Sequence, residues 1–325
     1  MTADTARTVP IRAVPTHSFE LWPPRSEAAQ LALGEHLPAL IDSGPEFISV
    51  TFGANGSSRD GSLDVLRQLL QNTAVTAMAH LVCIGSTYTE ATQMIRQFLD
   101  AGVTSFLALR GDPPAGVTEL EAEKIVELGD LRSAGELVQL IHRVQAEREP
   151  FTQHDLPGFP TGKRLGSGKK VTIAVAAFPN GHPRSRSRAQ DLDTLLAKEA
   201  AGANLAITQL FFEADEFLEF ESEARAAGVT MRILPGIMPV ASVARLKRTV
   251  ELSGEAAPKQ LLADLESAES PAAAAAVGTE ACTRLARDLL DGGATGLHLY
   301  TSNRSEASVA VLRDVGLLAA KATHS

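Results

Sequence analysis

The chain has 325 residues, of which 44% are hydrophobic and 21% are charged, and its formal net charge is −9 at pH 7. This size allows one large barrel domain or two smaller domains, and the acidic balance argues against a nucleic-acid partner or an anionic membrane surface. Because no run of about 18 apolar residues and no apolar leader is present, we expect a cytoplasmic protein without a membrane partner.

In chain order, residues 1–16 are predicted to form an N-terminal arm and residues 17–325 a single catalytic domain. In that domain, short apolar runs alternate with segments of helical periodicity. The clearest helix covers residues 91–99, where apolar residues recur at i, i+3, i+4, i+7 and i+8, and Gly102 follows as its C-cap. The predicted strands are 17–21, 47–51, 76–82, 105–109, 171–177, 205–208, 231–234 and 296–299.

Eight strands separated by helical segments predict an α/β fold of the (β/α)8 TIM barrel type. A doubly wound sheet is the structural alternative. Two segments do not fit the alternation. Residues 150–170 are rich in Gly, Lys and Pro and are interpreted as a mobile connecting loop, whereas a long helix from Pro271 to Leu290 is expected to be the eighth, outer helix.

Polar or aromatic residues follow most of the predicted strands. Any one of them has a simple explanation: Glu20 could cap a loop, His80 could be a satisfied structural histidine, Gln209 could bind backbone, and Trp22 could fill the core. In a barrel, however, all strand ends meet at one mouth, which favours a shared site. The residues at these ends are Glu20, Thr51, His80, Asp112, Phe178, His182, Gln209, Tyr300 and Thr301.

Several familiar site patterns are missing from the sequence. His80, His182 and His298 lack close ligand spacing, and Cys83 and Cys282 have no C-x-x-C partner, so no metal site is predicted. No G-x-S-x-G or G-x-G-x-x-G motif stands in a suitable context. What remains is a carboxylic acid, a second carboxylate and an amide, which suit protonation of a leaving nitrogen and binding of a heterocycle.

Eight collinear motifs carry a family resemblance over about residues 17–315. In order and spacing they resemble methylenetetrahydrofolate reductase. The resemblance implies a (β/α)8 barrel that reduces 5,10-methylenetetrahydrofolate to 5-methyltetrahydrofolate with a reduced nicotinamide, normally through bound FAD. The motifs are F-E-L-W-P-P at 19–24, S-V-T-F-G-A at 49–54, A-H-L-V-C at 79–83, A-L-R-G-D-P-P at 108–114, A-A-F-P-N-G-H-P at 176–183, G-A-N-L-A-I-T-Q-L-F-F at 202–212, L-P-G-I-M-P-V at 234–240 and H-L-Y-T-S-N-R at 298–304.

The resemblance also implies residue roles. Glu20 matches the general acid, which protonates a folate nitrogen so that the ring opens to an iminium that accepts hydride. Asp112 matches a catalytic and pterin-binding aspartate, and Gln209 matches a glutamine that hydrogen-bonds the pterin. Tyr300 and Arg304 complete the implied substrate-binding set. The implied cofactor-binding residues are Thr51, His80, Arg110, Phe178, His182, Asp191 and Lys198.

Glu20 is flanked by Phe19 and Trp22. An apolar surrounding disfavours the charged form of a carboxyl group, so we expect these neighbours to raise the pKa of Glu20. A raised pKa would keep the acid protonated near neutral pH.

Departures from the family pattern concern the flavin. Ser133 replaces a tyrosine, Thr194 and Ala197 replace an asparagine and a basic residue, and Thr249 replaces a ring-stacking phenylalanine. Hydrogen bonds to charged groups are worth about 1.5–3 kcal/mol each, so these losses weaken flavin binding. Basic residues at 184, 186 and 188 offer compensating charges, although a solvated basic loop is the simpler interpretation.

We therefore expect FAD to be absent and hydride to pass directly from NADH or NADPH to the folate. The alternatives are an ordinary FAD-dependent ping-pong reductase, a deazaflavin donor, and a folate-binding barrel without catalytic activity. The sequence is also compatible with a homo-oligomer.

Overall fold

The computed structural model describes residues 14–51, 59–111, 124–125, 129–148, 151–156, 159–164 and 171–318. The strands are β1 (Thr16–Leu21), β2 (Phe47–Val50), β3 (Thr76–Val82), β4 (Ser105–Leu109), β5 (Phe151–Leu156), β6 (Phe159–Arg164), β7 (Thr172–Ala177), β8 (Leu205–Thr208), β9 (Arg232–Leu234), β10 (Gly236–Ile237) and β11 (Gly296–Tyr300). The helices are α1 (Glu27–Asp42), α2 (Arg59–Asn72), α3 (Tyr88–Asp100), α4 (Ala134–Glu147), α5 (Arg188–Ala200), α6 (Ala214–Ala227), α7 (Val243–Ser253), α8 (Lys259–Glu266), α9 (Pro271–Gly292) and α10 (Glu306–Asp314).

Nine of these strands form one parallel sheet in the order β10-β11-β1-β2-β3-β4-β7-β8-β9. Its two ends are pieces of one barrel strand, because only Pro235 separates β9 from β10. Proline has no N–H to donate to a ladder, but its carbonyl accepts from the backbone N of His298 at 2.9 Å. The sheet thus closes on itself with eight barrel strands, which confirms the predicted (β/α)8 barrel. A doubly wound sheet is excluded because it would be open at both edges.

Successive side chains of each strand point to opposite faces of the sheet, so the apolar residues form two separate layers. Outward-facing residues such as Phe19, Ile48 and Phe106 join the large core between the sheet and the helices. Inward-facing residues fill the lower part of the barrel. This inner cluster consists of Phe47, Met78, Leu107, Ala174, Leu205, Ile207 and Leu234, and several residues above it in the barrel are polar.

The helices begin where side chains satisfy their free N–H groups. Ser26, Ser133 and Ser187 each accept a backbone hydrogen bond at an N-cap, and Thr87 forms a capping box with Glu90 at the start of α3. The predicted apolar face of α3 is confirmed, with its residues buried or packed against the core. Within the described ranges, no helix has both the length and the apolar content needed to cross a bilayer.

The structure corrects the interpretation of residues 150–170. The described parts of this segment form an antiparallel pair, with Phe151 opposite Arg164 and Leu156 opposite Phe159. Pro157 and Gly158, between the two strands, lie outside the described residues. A high content of Gly, Lys and Pro is typical of a loop, so the two paired strands in this segment were not predicted.

The long helix was also misplaced in the predicted order. α9 precedes the last barrel strand, so it belongs to the seventh βα unit together with α7 and α8. The helix of the eighth unit is the short α10, which follows β11 and packs against α9 and α1. It has only nine residues, whereas α9 has 22, so the longer helix was the easier one to recognise.

Candidate active site

Glu20 lies near the end of β1, with its side chain inside the barrel mouth and 13% exposed. Its Oε1 accepts hydrogen bonds from the indole N–H of Trp22 at 3.1 Å and from the hydroxyl of Thr51 at 3.2 Å. Its Oε2 lies 3.7 Å from Nε2 of His80. Two donors therefore hold one carboxyl oxygen, and the other oxygen is the one positioned to carry and release a proton.

Burial raises the pKa of Glu20 to about 7, and the hydrogen bonds from Trp22 and Thr51 oppose this rise. The predicted direction is confirmed, and burial is its cause as expected, but Phe19 and Trp22 are placed differently from the prediction. Phe19 faces the outer core, because successive residues of a strand point to opposite sides. Trp22 is 41% exposed and acts on Glu20 as a donor, so it neither fills the core nor raises the pKa.

The groups around Glu20 are neutral at physiological pH. Burial lowers the pKa of His80 to about 3. Burial, with the nearby charge of Glu20 adding to it, raises the pKa of Tyr300 far above its ordinary range, and the Tyr300 hydroxyl donates to the Thr208 carbonyl at 2.7 Å. The interpretation of His80 as a satisfied structural histidine is wrong for Nε2, which has no hydrogen-bond partner in the described part of the chain.

The loop after β11, the strand that pairs with β1, fixes the backbone of Trp22. Asn303 accepts a hydrogen bond from the backbone N of Trp22 and donates one to its carbonyl, both at 2.8 Å. Ser302 and Asn303 have φ values of 53° and 62°, a conformation that asparagine tolerates better than most residues. The guanidinium of Arg245 lies 5.8 Å from the Trp22 ring. Sequence reasoning missed Asn303 and Arg245; only the S-N pair in Y-T-S-N-R was a signal for the former.

A cavity of about 530 Å³ opens beside this cluster, at the ends of β4, β7 and β8. It brings together most of the remaining predicted residues, whereas Thr51, His80 and Tyr300 lie around Glu20. Gln209 is half-buried at its edge, and its Oε1 accepts from the backbone N of Leu210 at 2.8 Å, with Nε2 as the donor end of the same amide. The predicted residues that line the cavity are Arg110, Phe178, His182, Asp191, Lys198 and Gln209.

Polar side chains in the cavity are largely bound to the protein itself. Lys198 donates to the carbonyl of Ala176 at 2.7 Å; burial lowers its pKa to about 8, although Asp191 opposes this shift. Asp191 accepts from the backbone N of His182 and from the hydroxyl of Ser185. Thr194, one of the departures from the family pattern, donates to its own helix at Gln190. Lys198, Asp191 and Thr194 therefore already have protein partners in this arrangement.

The arginines at 184, 186 and 188, considered above as compensating charges for flavin binding, fall into two groups. Arg188 pairs with Glu223 at 2.6 Å and also donates to the carbonyls of Phe178 and Pro179, so it holds the loop before α5 in place. Arg184 and Arg186 are exposed. This agrees better with a solvated basic loop than with a built phosphate site.

Two further predicted residues are placed differently. Arg304 is exposed on the loop after β11. Asp112 lies outside the described residues, but Gly111 before it has a φ of 86°, and a Cβ there would lie 2.2 Å from Val82. Only glycine fits at this position. In the described part of the chain, no group of three or more His, Cys, Asp or Glu side chains could hold a metal ion.

Comparisons with known proteins agree with the motifs. A family model described as methylenetetrahydrofolate reductase matches residues 6–316. The 5,10-methylenetetrahydrofolate reductase of Salmonella typhimurium is 30% identical over 301 residues, which cover 92% of this chain and 90% of that protein. Methylenetetrahydrofolate reductase (NADH) 1 of Arabidopsis thaliana is 30% identical, covering 97% of this chain and 50% of its own length. The probable methylenetetrahydrofolate reductase (NADPH) of Caenorhabditis elegans is 33% identical, and the match covers 92% of this chain and 42% of that protein.

Among solved structures, the fold is similar to that of an uncharacterized protein from Clostridium thermocellum that binds two copies of 5-methyl-5,6,7,8-tetrahydrofolic acid. The TM-score is 0.59 at 13% identity, with 93% of this chain and 95% of that chain covered. At this identity the likeness supports the fold alone. The match over nearly the whole length, together with relatives at 30% identity or more, shows that the chain belongs to the methylenetetrahydrofolate reductase family of oxidoreductases.

Proposed function

We propose that this protein reduces 5,10-methylenetetrahydrofolate to 5-methyltetrahydrofolate by direct hydride transfer from NADH or NADPH, without a flavin. The observation that carries the proposal is Glu20, a buried carboxyl group at the barrel mouth whose pKa is raised to about 7. A general acid is most effective when its pKa lies near the working pH.

The chemistry needs one proton and one hydride per turnover. Glu20 donates its proton to the folate nitrogen that leaves the methylene carbon, and the carbon–nitrogen bond breaks to give an iminium. The hydride of the reduced nicotinamide then adds to the iminium carbon, giving the methyl product and the oxidised nicotinamide. Glu20 regains a proton from solvent, which balances the reaction.

The chain's own residues have separate tasks in this scheme. Trp22 and Thr51 hold Oε1 of Glu20, so that the protonated Oε2 keeps one direction. Gln209 offers an amide at the edge of the cavity for the pterin ring, and Asp112 is proposed as its second partner. Because both substrates must be present for direct transfer, we propose that they share the mouth and the adjoining cavity, with their rings a few ångströms apart.

The engagement of Lys198, Asp191 and Thr194 with protein partners supports the flavin-free form of the proposal. Any FAD group that displaced these contacts would lose binding free energy for each hydrogen bond replaced. The relatives named as NADH and NADPH enzymes support a nicotinamide donor of either kind for this chain.

The test uses protein purified without added cofactor. We expect a colourless preparation that oxidises NADH or NADPH only when methylenetetrahydrofolate is present, with initial rates that fit a ternary complex and that added FAD does not change. Parallel titrations with the two nicotinamides identify the donor.

A yellow protein that NADH alone bleaches, with ping-pong kinetics, would overturn the flavin-free part and leave an ordinary FAD-dependent reductase. Activity only with a reduced deazaflavin would show that the hydride donor is a deazaflavin and not a nicotinamide. Folate binding without turnover under any donor would support the non-catalytic barrel instead.

A further inference from the structure

Three polar atoms inside the barrel have no hydrogen-bond partner in the described part of the chain: Ser49 Oγ, His80 Nε2 and His298 Nε2. Their residues are 0%, 4% and 0% exposed. Leaving a buried polar atom unpaired costs about 1–3 kcal/mol, so native interiors rarely contain even one. Three in a single barrel indicate that something else binds there.

The three atoms belong to adjoining levels of the barrel interior. Ser49 precedes Thr51 by two residues and His298 precedes Tyr300 by two, so both side chains point into the barrel. His298 lies one level below Glu20, because its register partner on β1 is Ser18. Ser49 is also the register partner of Glu20 on the next strand. His80 stands in the upper level, 3.7 Å from Oε2 of Glu20. The lower level is closed beneath by apolar residues, including Phe47, which stacks on His298.

Neighbouring contacts restrict how these side chains can turn. His298 Nδ1 pairs with the hydroxyl of Ser18 at 2.8 Å, which fixes the ring so that Nε2 is directed away from β1. The ring also lies between Phe47 at 5.7 Å and Tyr300 at 5.3 Å, measured between centroids. A simple rotation of His298 would break the Ser18 bond, so it does not relieve the unpaired nitrogen.

The chemistry of the three atoms selects the ligand. Burial lowers the pKa of both histidines to about 3, with His80 contributing to the shift of His298, so neither ring attracts an anion. The described side chains also form no metal-binding group. A neutral ligand that both donates and accepts hydrogen bonds matches two imidazole nitrogens and a hydroxyl, and water is the small molecule with these properties.

We infer that the barrel interior beneath Glu20 is a binding site for ordered water, held by Ser49, His80 and His298, and that this water positions the Glu20 carboxyl group. The separation of 3.7 Å between Glu20 Oε2 and His80 Nε2 is too long for a direct hydrogen bond, and a water lying to one side of the two atoms can bond to both. Ser49 and His298 are positioning residues in this arrangement, because they act on Glu20 only through the water. The kinetic consequence rests on the proposed function, whereas the site itself does not.

The first test needs no activity. A high-resolution crystal structure should show solvent density within hydrogen-bond distance of His80 Nε2 and His298 Nε2, and this density should be lost or displaced in Ser49→Ala and His298→Phe. His17→Phe is the matched control, because His17 is a buried histidine on the outer face of β1, bonded to Ser43. An interior without ordered solvent, or a direct pairing of the two histidines, would overturn the inference.

The second test titrates Glu20 by infrared difference spectroscopy, with Glu20→Gln subtracted to isolate its carboxyl band. Loss of the water leaves the carboxylate less solvated, so Ser49→Ala and His298→Phe should raise the midpoint above about 7, by about one pH unit. His298→Gln, which keeps a polar group, should restore the wild-type value, and His17→Phe should not change it. The titratable groups facing Glu20 from β3 and β11, His80 and Tyr300, stay neutral throughout this range.

The same variants should move the alkaline limb of the pH–kcat profile in the same direction. A residue that only stabilises the fold would lower activity at every pH without moving the midpoint. If the solvent density and the titration of Glu20 change as expected but no folate reduction is found, the proposed function is wrong and the water site is still supported. If the enzyme is active but neither variant shifts the titration of Glu20, the positioning role is wrong.

Discussion

The side-chain amide of Asn303 binds both backbone polar groups of Trp22, each at 2.8 Å. Trp22 in turn donates its indole N–H to Glu20. The loop after the last strand thus sets the position of a donor to the acid on the first strand, 283 residues earlier in the chain. The left-handed conformation of Ser302 and Asn303 is the local cost of this arrangement.

Asn303→Ala should lower kcat by about tenfold, because two hydrogen bonds of about 1 kcal/mol each no longer fix Trp22. Steady-state kinetics on the folded fraction measures this change. Asn204→Ala is the control. The side-chain amide of Asn204 also accepts a backbone hydrogen bond, from Ile173, and donates one, to the carbonyl of Val171, but it lies at the opposite end of the barrel. Equal losses of kcat in the two variants would mean that the hydrogen bonds between Asn303 and Trp22 affect turnover only through the stability of the fold.

Glu20→Gln should reduce kcat by roughly 100-fold or more while the protein stays folded, since an amide cannot donate an acidic proton. In the wild type, the acid is protonated below its pKa of about 7, so turnover should fall as the pH rises through that value. The variant should show a flat profile there. A near-normal kcat in Glu20→Gln would place the proton donor elsewhere.

The same substitution should stabilise the protein at alkaline pH. Below its ordinary pKa of 4.5, Glu20 is protonated in both the folded and the unfolded state. Between pH 4.5 and about 7 the unfolded state ionises while the folded state does not, so the wild type loses stability across this range. The loss is on the order of 3 kcal/mol and is complete above the folded pKa. Urea unfolding of Glu20→Gln at pH 8 and at pH 4.5 should show this difference.

Glu46→Gln is the matched control of opposite sign. Burial raises the pKa of Glu46, but hydrogen bonds from Thr16 and Arg232 outweigh it, so the pKa lies below its ordinary value. Its stabilising effect is present above the unfolded pKa and is lost as the pH falls. Glu46→Gln should therefore be less stable than the wild type at pH 8, and a gain there would show that the sign argument is wrong.

Gln209→Ala and Asp112→Ala should each raise the folate KM, because a pterin edge in a closed pocket loses hydrogen-bond partners. Calorimetry with tetrahydrofolate separates binding from catalysis. Gln93→Ala, on the exposed face of α3, is the control and should bind like the wild type. Unchanged affinity in both site variants would show that the pterin lies elsewhere.

Local pattern was sufficient to predict the barrel and the strand ends. The helical spacing at 91–99 and the apolar runs after Gly102 and Gly202 reflect periods of 3.6 and 2, which neighbouring residues impose without distant contacts. The family motifs at Glu20 and Gln209 were equally legible. The hairpin at 151–164 was missed because its composition resembles a loop, although its pairing is regular.

Only the tertiary structure decided what surrounds the acid. Asn303 and Trp22 meet because closure of the sheet brings β11 beside β1, and Ser49 and His298 face the interior from the strands on either side of β1. The raised pKa likewise comes from burial by the whole barrel mouth, whereas the adjacent Phe19 points away from it. A sequence specifies which side of a strand a residue faces, but the ring closure of eight strands determines which residues share the interior.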